Sequence, residues 1–330
     1  MAKVINGTTM VPSLNGTLIS KHDCTVATCS MRYAELLYIP SKAGNAVYLV
    51  LFVFLLLAQG GLGVRYRTWG FMVGLVCGLL LEIIGYAGRL MLHNNVFSFG
   101  SFVTYLVCLT IAPAFLSASI YSCISRLVIV YGRDRARLSP RVYTITFVLC
   151  DFISLLLQAA GGALAASGTP GSSEGQTGVN VMIAGLAFQV VSLTVFIALS
   201  LDLMLSVSRA GQIGLSHRFS GLRSRRMFRL FPWAIIFASI AIFVRCCFRV
   251  AELKNGFKGS LANNQTLFMI FEGPAIMLAV LTLTIFHPAI CFGGRQAWQD
   301  TDWEWKTGME KSNLSSENIN IQVLAKNGAA

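Results

Sequence analysis

Seven blocks of about 20 apolar residues run through the chain, each long enough to cross the roughly 30 Å hydrocarbon core of a bilayer as a helix. They cover approximately 44–63, 69–92, 102–131, 143–166, 180–205, 233–253 and 266–292. The runs are continuously apolar, whereas a spanning strand would alternate in polarity over about ten residues. The sequence therefore predicts an all-α fold: a polytopic integral membrane protein with seven transmembrane helices. Composition agrees, since 55% of the 330 residues are hydrophobic and only 12% are charged, against about 25% charged in soluble domains. The expected organisation is an N-terminal tail over 1–43, a seven-helix domain over 44–292 and a C-terminal tail over 293–330.

A net charge of +12 invites a nucleic-acid reading, but most of the basic residues sit in the loops and tails outside the apolar blocks. With the N-terminus outside, sixteen Lys and Arg fall on the cytoplasmic side and six on the exterior. The positive-inside bias thus predicts an exterior N-terminus and a cytoplasmic C-terminus, and nucleic acid is not an expected partner. Two sequons in the N-tail, at Asn6 and Asn15, suit an exterior, glycosylated segment. The first 43 residues lack a basic stretch followed by an apolar one, so the first span is expected to direct membrane insertion.

Seven of the nine cysteines lie in or at the ends of spans, where Cys behaves as a small hydrophobe. Only Cys24 and Cys29 are in the N-tail, and they are candidates for a disulfide in an oxidising compartment. His22, His93, His217 and His287 are scattered without ligand spacing, so no metal site and no resident cofactor are expected.

Ionisable side chains at membrane depth are costly and normally face the bundle interior or a polar path. On the second span, steps of four and seven bring Glu82, Tyr86 and Arg89 onto one helical face. Arg245, Arg249 and Glu252 repeat that geometry on the sixth span, and Asp151, Ser154 and Gln158 on the fourth. Arg126 on the third, Gln189 and Asp202 on the fifth and Glu272 on the seventh complete the set. Five carboxylates against four arginines predict ion pairs between helices, because an unpaired buried charge costs far more than a paired one. Pairs of this kind can simply fix helix register. Nine charges over six helices exceed that need and point to a site for the head group of an amphipathic ligand, or to a charge relay along a transport path. For Arg126, Asp202 and Glu252, near span ends, snorkelling to the interface is the alternative. The first span carries only Asn45 and Gln59 as polar residues and is expected at the periphery, with the ligand site among the other six.

Gly74, Gly78, Gly85 and Gly88 on the second span, Gly161 and Gly162 on the fourth and Gly185 on the fifth permit close helix approach. Pro113 and Pro274 should kink their helices and free carbonyls towards neighbours. The basic stretch 206–231 reads as positive-inside bias or as an interfacial helix on anionic lipid. Trp298, Trp303 and Trp305 are expected at the headgroup level. No phosphate loop, H-E-x-x-H pair or G-x-S-x-G elbow occurs, so the chain is not expected to be an ATPase, zinc protease or serine hydrolase, and the reading is that it is not an enzyme.

Glu82 with Gly85-Tyr86 and Arg89, Ala112-Pro113-Ala114 followed by Ile120-Tyr121 and Arg126, Asp151 with Ser154 and Gln158-Ala159-Ala160-Gly161-Gly162, Gly185-Leu186 with Gln189, Arg245-Cys246-Cys247-Phe248-Arg249 with Glu252, Glu272, and His287-Pro288 together form a specific pattern. The chain resembles the fungal RTA1-like family, the lipid-translocating exporters, from about Tyr38 to Phe292. One departure is Leu109-Thr110-Ile111, where family members commonly carry Gln just before the Ala-Pro of the third span. The resemblance implies a seven-helix plasma-membrane protein linked to resistance to toxic amphiphiles, with relatives associated with sphingoid-base efflux or with porphyrin and haem movement. Transport of an amphipathic molecule (a sphingoid base, another lipid, a sterol-like toxin or a porphyrin) is the leading expectation, with membrane lipids and that small molecule as partners. The alternative is a seven-helix receptor or sensor for such a lipid. Basic cytoplasmic loops favour it, whereas the lack of N-P-x-x-Y in the last span and of a true D-R-Y triplet counts against it.

Overall fold

A computed structural model describes residues 3–5, 8–132, 136–167, 173–210, 219–254, 256 and 259–301. Seven helical segments among them are long and apolar enough to cross a membrane. Six are single helices: α1 (Lys42–Tyr66), α2 (Trp69–Asn94), α3 (Phe99–Tyr131), α4 (Pro140–Ser167), α5 (Ser173–Ala210) and, after the short α6 (Ser220–Arg223), α7 (Arg226–Leu253). The seventh span is divided into α8 (Gln265–Phe271), α9 (Gly273–Ile285) and α10 (Pro288–Cys291). α1, α3 and α4 outrun their apolar blocks by about a turn, and α5 and α7 by more. Side-chain caps mark several starts: Ser41 accepts from Gly44 N–H before α1, Ser98 from Ser101 N–H before α3, and Asn264 from the N–H groups of Thr266 and Leu267 before α8.

The two expected kinks turn out differently. Pro113 lies inside a continuous 33-residue α3, and the effect of its missing N–H is chemical: the Leu109 carbonyl, four residues earlier, accepts from the Arg245 guanidinium of α7. In the seventh span the helix breaks at Glu272, and Pro274 sits in the first turn of α9. Tyr48 of α1 donates to the Met269 carbonyl beside that break, at 2.8 Å.

Small residues decide which helices touch. Cβ atoms added at Gly74, Gly78, Gly85 and Gly88 of α2 would run into Ser119, Leu116, Leu109 and Tyr105 of α3. Gly161 of α4 and Gly178 of α5 meet almost backbone to backbone, and a Cβ at Gly185 would come 2.9 Å from the Ser154 carbonyl. The large side chains left exposed, such as Phe54, Leu57, Phe152 and Val191, lie on outward helix faces, where hydrocarbon is the solvent. Burial ranks the spans: over the most apolar window, 56% of α7 is buried against 17% of α1, so α7 runs through the interior and α1 lies at the edge.

The region expected as a tail carries structure of its own. Strands β1 (Lys3–Ile5), β2 (Thr8–Pro12) and β3 (Leu18–Ser20) form an antiparallel meander, with Lys3 opposite Met10 and Met10 opposite Ser20. Cys24 and Cys29 are joined in a disulfide. Val11, both half-cystines and Ala34 pack with Val96 and Phe97 of the α2–α3 loop; a Lys21–Glu35 pair at 2.6 Å braces the subdomain internally, and Leu37 N–H to Asn263 and His93 to the Pro40 carbonyl tie it to the helix ends. Asn15 is exposed in the β2–β3 connection; Asn6 lies outside the described residues.

At the opposite end one expectation is corrected. Trp298 is only 2% exposed: residues 295–301 are helical and fold its ring edge-on against Phe292, with Arg126 of α3 stacked over it at 3.8 Å. It is part of the core, not a headgroup anchor. Trp303 and Trp305 lie outside the described residues, as does 211–218 of the basic stretch.

Candidate functional site

Because α7 is the most buried span, its charged face ends up in the bundle centre. Arg245, 1% exposed, reaches towards α2 and the break in the seventh span: its Nη2 lies 2.8 Å from Glu272 Oε1 and 3.4 Å from Glu82 Oε1, and both glutamates are fully buried. Three helices therefore contribute one cation and two anions to a single cluster. The hydrogen bonding is unequal. Glu272 Oε1 and the Leu109 carbonyl both accept from Nη2, while both Glu82 oxygens, Glu272 Oε2, Arg245 Nε and Arg245 Nη1 have no hydrogen-bond partner among the described residues. A buried ion pair ordinarily fills its lone pairs and N–H groups, since each one left over is costly.

The leftover groups have two chemical characters. Acceptors predominate where α2 meets the α8–α9 break: the Glu82 and Glu272 carboxylates and the Tyr86 hydroxyl, which is also unpartnered. Gly273 makes that corner possible, because a Cβ there would lie 2.8 Å from the Tyr86 hydroxyl and 2.9 Å from the Tyr48 ring. Tyr48 and Phe52 of α1 pack on the Tyr86 ring with centroids 5.4 and 5.5 Å away, so the peripheral helix covers this acidic corner. Donors predominate on the other side of Arg245. A cavity of about 10 Å³ lies between α3, α5 and α7, lined by Thr110, Gln189, Arg245 and Arg249 together with Leu109 and Pro113. That is the scale of one water molecule. Leu109 and Thr110 form part of its wall.

Arg249, one turn on, pairs within its own helix with Glu252 at 2.6 Å and donates to Thr110 Oγ1 at 3.2 Å. Arg89 is held by neutral groups. Its Nε donates to Asn45 Oδ1 at 3.1 Å, its Nη2 donates to the Tyr38 hydroxyl at 2.8 Å, and its guanidinium lies 3.7 Å from the Phe268 ring centroid and 5.1 Å from that of Tyr105. It joins the N-terminal subdomain to α1, α2, α3 and α8. Asp151 accepts from the Tyr121 hydroxyl at 3.0 Å, and Gln158 bridges Ser154 and Gln189 while Ser154 donates to the Gly185 carbonyl.

The structure thus brings Glu82, Tyr86, Arg245 and Glu272 together, with Arg249, Glu252 and Gln189 adjoining. Gln158 reaches the cluster only through Gln189, and Asp151 pairs with a tyrosine. Among the described residues, the expected carboxylate–arginine pairing between helices is seen at Arg245. Of the three residues for which snorkelling was the alternative, Arg126 is docked, donating to the Trp298 carbonyl and Thr301 Oγ1, and Glu252 is buried, while Asp202 is partly exposed and pairs bidentately with Arg137 at 2.8 and 3.1 Å. The first span is peripheral as expected, yet it contributes contacts at the centre: Asn45 binds Arg89, and Tyr48 and Phe52 roof the acidic corner. Two polar residues in an otherwise apolar span were the available signal for the first of these; nothing marked the aromatic ones.

A sequence profile described as RTA1 like protein matches residues 75–295. The sphingoid long-chain base transporter RSB1 of Saccharomyces cerevisiae is 35% identical over 255 residues, covering 69% of this chain and 67% of the relative. Protein RTM1 of Saccharomyces cerevisiae is 30% identical over 219 residues, with 66% and 67% covered, and Protein RTA1 of the same species 27% identical over 222 residues, with 67% of each chain covered. No solved structure matches the chain. The profile spans all of the charged cluster and most of the bundle, and the chain belongs to the RTA1-like family.

Proposed function

We propose that the protein moves a long-chain amino alcohol of the sphingoid-base class across the membrane, without catalysing a covalent reaction. The observation that carries this reading is the fully buried carboxylate pair, Glu82 and Glu272, sharing one guanidinium. Unsatisfied carboxylate oxygens beside a tyrosine hydroxyl suit an ammonium group, while the N–H groups of Arg245 and Arg249 across the same side chain suit hydroxyl oxygens. A sphingoid base carries both functions on neighbouring carbons and a hydrocarbon chain that the bilayer accepts. The name of the yeast relative RSB1 supports the same substrate class.

A cavity of about 10 Å³ holds no such head group, so the conformation described is closed and loading requires helices to part. The weakly buried α1, roofing the acidic corner with two aromatic rings, is the cover with least packing to lose. We place the protein in the plasma membrane with the N-terminal subdomain exterior, following the charge distribution of the loops. The test is a reconstituted one: purified protein in liposomes, with a fluorescently labelled long-chain base followed between leaflets. Movement several-fold above protein-free liposomes is expected. Saturable binding without movement would favour the receptor reading, and neither binding nor movement would overturn both.

A further inference from the structure

We infer that the Glu82–Glu272 pair carries one exchangeable proton and that the protein trades it for the positive charge of its ligand, one proton out for each ammonium bound. The inference rests on the amphipathic-amine reading above and adds to it a coupling ion.

Arg249 is engaged by Glu252 of its own helix, and Arg89 is engaged by an amide, a phenol and aromatic rings. Neither contributes a bond to Glu82. The charged and titratable groups that surround Glu82 are Tyr86 of its own helix, Cys108 of α3, Arg245 and Arg249 of α7, and Glu272 at the α8–α9 break. Among them Arg245 is the one cation within ion-pair distance, and its short contact belongs to Glu272. With both carboxylates ionised, the cluster holds one more negative charge than Arg245 neutralises, at zero exposure and with no hydrogen bond to either Glu82 oxygen. Such a charge is stable in a low-dielectric interior only if a cation joins it. A proton is the cation that needs no room.

An arriving ammonium supplies the same compensation. The carboxyl proton then leaves to water, the O–H bond breaking as the N–H···O contact forms, and the charge of the cluster is unchanged. The exchange is electroneutral in the cluster, so a transmembrane pH difference would bias the direction in which the amine moves.

The experiment is calorimetric titration of full-length detergent-solubilised protein with sphingosine and with its N,N,N-trimethyl analogue, whose charge no pH change removes. Each titration is run in buffers of different ionisation enthalpy from mildly acidic to neutral pH. Proton release by the trimethyl analogue can come only from protein. Release approaching about one proton per ligand as the pH falls is expected, with apparent affinity dropping about tenfold per pH unit in the acidic limb, as one-for-one competition requires. Glu82→Gln is expected to bind more weakly, with release abolished and a flat pH profile; if that variant does not fold, the wild-type series decides. Binding by the wild type with no proton released at any pH would overturn the exchange and leave the transport reading standing. Unchanged release by Glu82→Gln would remove the proton from this pair. Failure of both ligands to bind would overturn the transport reading and this inference with it.

Discussion

Arg89 and Arg245 are both buried cations in one bundle, held by opposite means. Arg89 is enclosed by an asparagine, a tyrosine hydroxyl and two aromatic faces, without a carboxylate in contact, and it locks the N-terminal subdomain onto the helix ends. Arg245 stands between two carboxylates, gives hydrogen bonds from one nitrogen and keeps its other two nitrogens unpartnered among the described residues. The first arrangement is complete without a ligand and the second is not. On the proposed reading the difference separates a structural cation from a ligand-site one, which charge counting along the sequence would rank alike.

The largest expected effect follows from breaking the oversubscribed centre. Arg245→Met leaves two buried carboxylates without a cation and should cost about 3–5 kcal/mol, seen as a large loss of thermal stability in detergent. Adding Glu272→Gln removes one of the orphaned charges, so the double variant should recover part of that loss, and strict additivity would show that the two side chains are not coupled. Gly161→Leu comes next. A side chain there meets the Met182 backbone of α5, and forcing α4 and α5 apart should cost about 1–3 kcal/mol or more, read as a lowered Tm. Arg89→Met is expected to be milder, about 1–2 kcal/mol for the lost ring stacking and hydrogen bonds. Its signature should be local: faster proteolysis in the first 40 or so residues, with ligand binding retained. At the small end, Asp202→Asn removes an exposed pair with Arg137 and should leave thermal stability unchanged.

How much of this was legible follows from what hydropathy records. It sees length and composition along one helix, so all seven spans and the glycine faces could be read directly, and Arg249 and Glu252 fall on one face although their pairing within the helix was not expected. It is blind to helix rotation and to the chain beyond the span. The arginine partners came out differently for that reason: Arg89 takes Asn45 and Tyr38 from before and within the first span, and Arg126 takes Trp298 from after the last. The β-meander escaped notice because three strands of three to five residues carry too little alternation, and the paired cysteines were the one hint of a folded unit. Pro113 was recognised as a source of a free carbonyl, but its partner required the rotation of α7. The acidic corner with its aromatic roof is a tertiary object assembled from α1, α2 and the α8–α9 break, and no single segment announces it.

The most direct measurement of the distinction between the two cations is transport of a labelled long-chain base in liposomes reconstituted with wild-type, Glu272→Ala and Arg89→Met protein at matched amounts of folded material. The account predicts movement by wild type, at least partial movement by Arg89→Met and none above background by Glu272→Ala. Full movement by Glu272→Ala, or its complete loss in Arg89→Met with the N-terminal subdomain still protected from proteolysis, would contradict it.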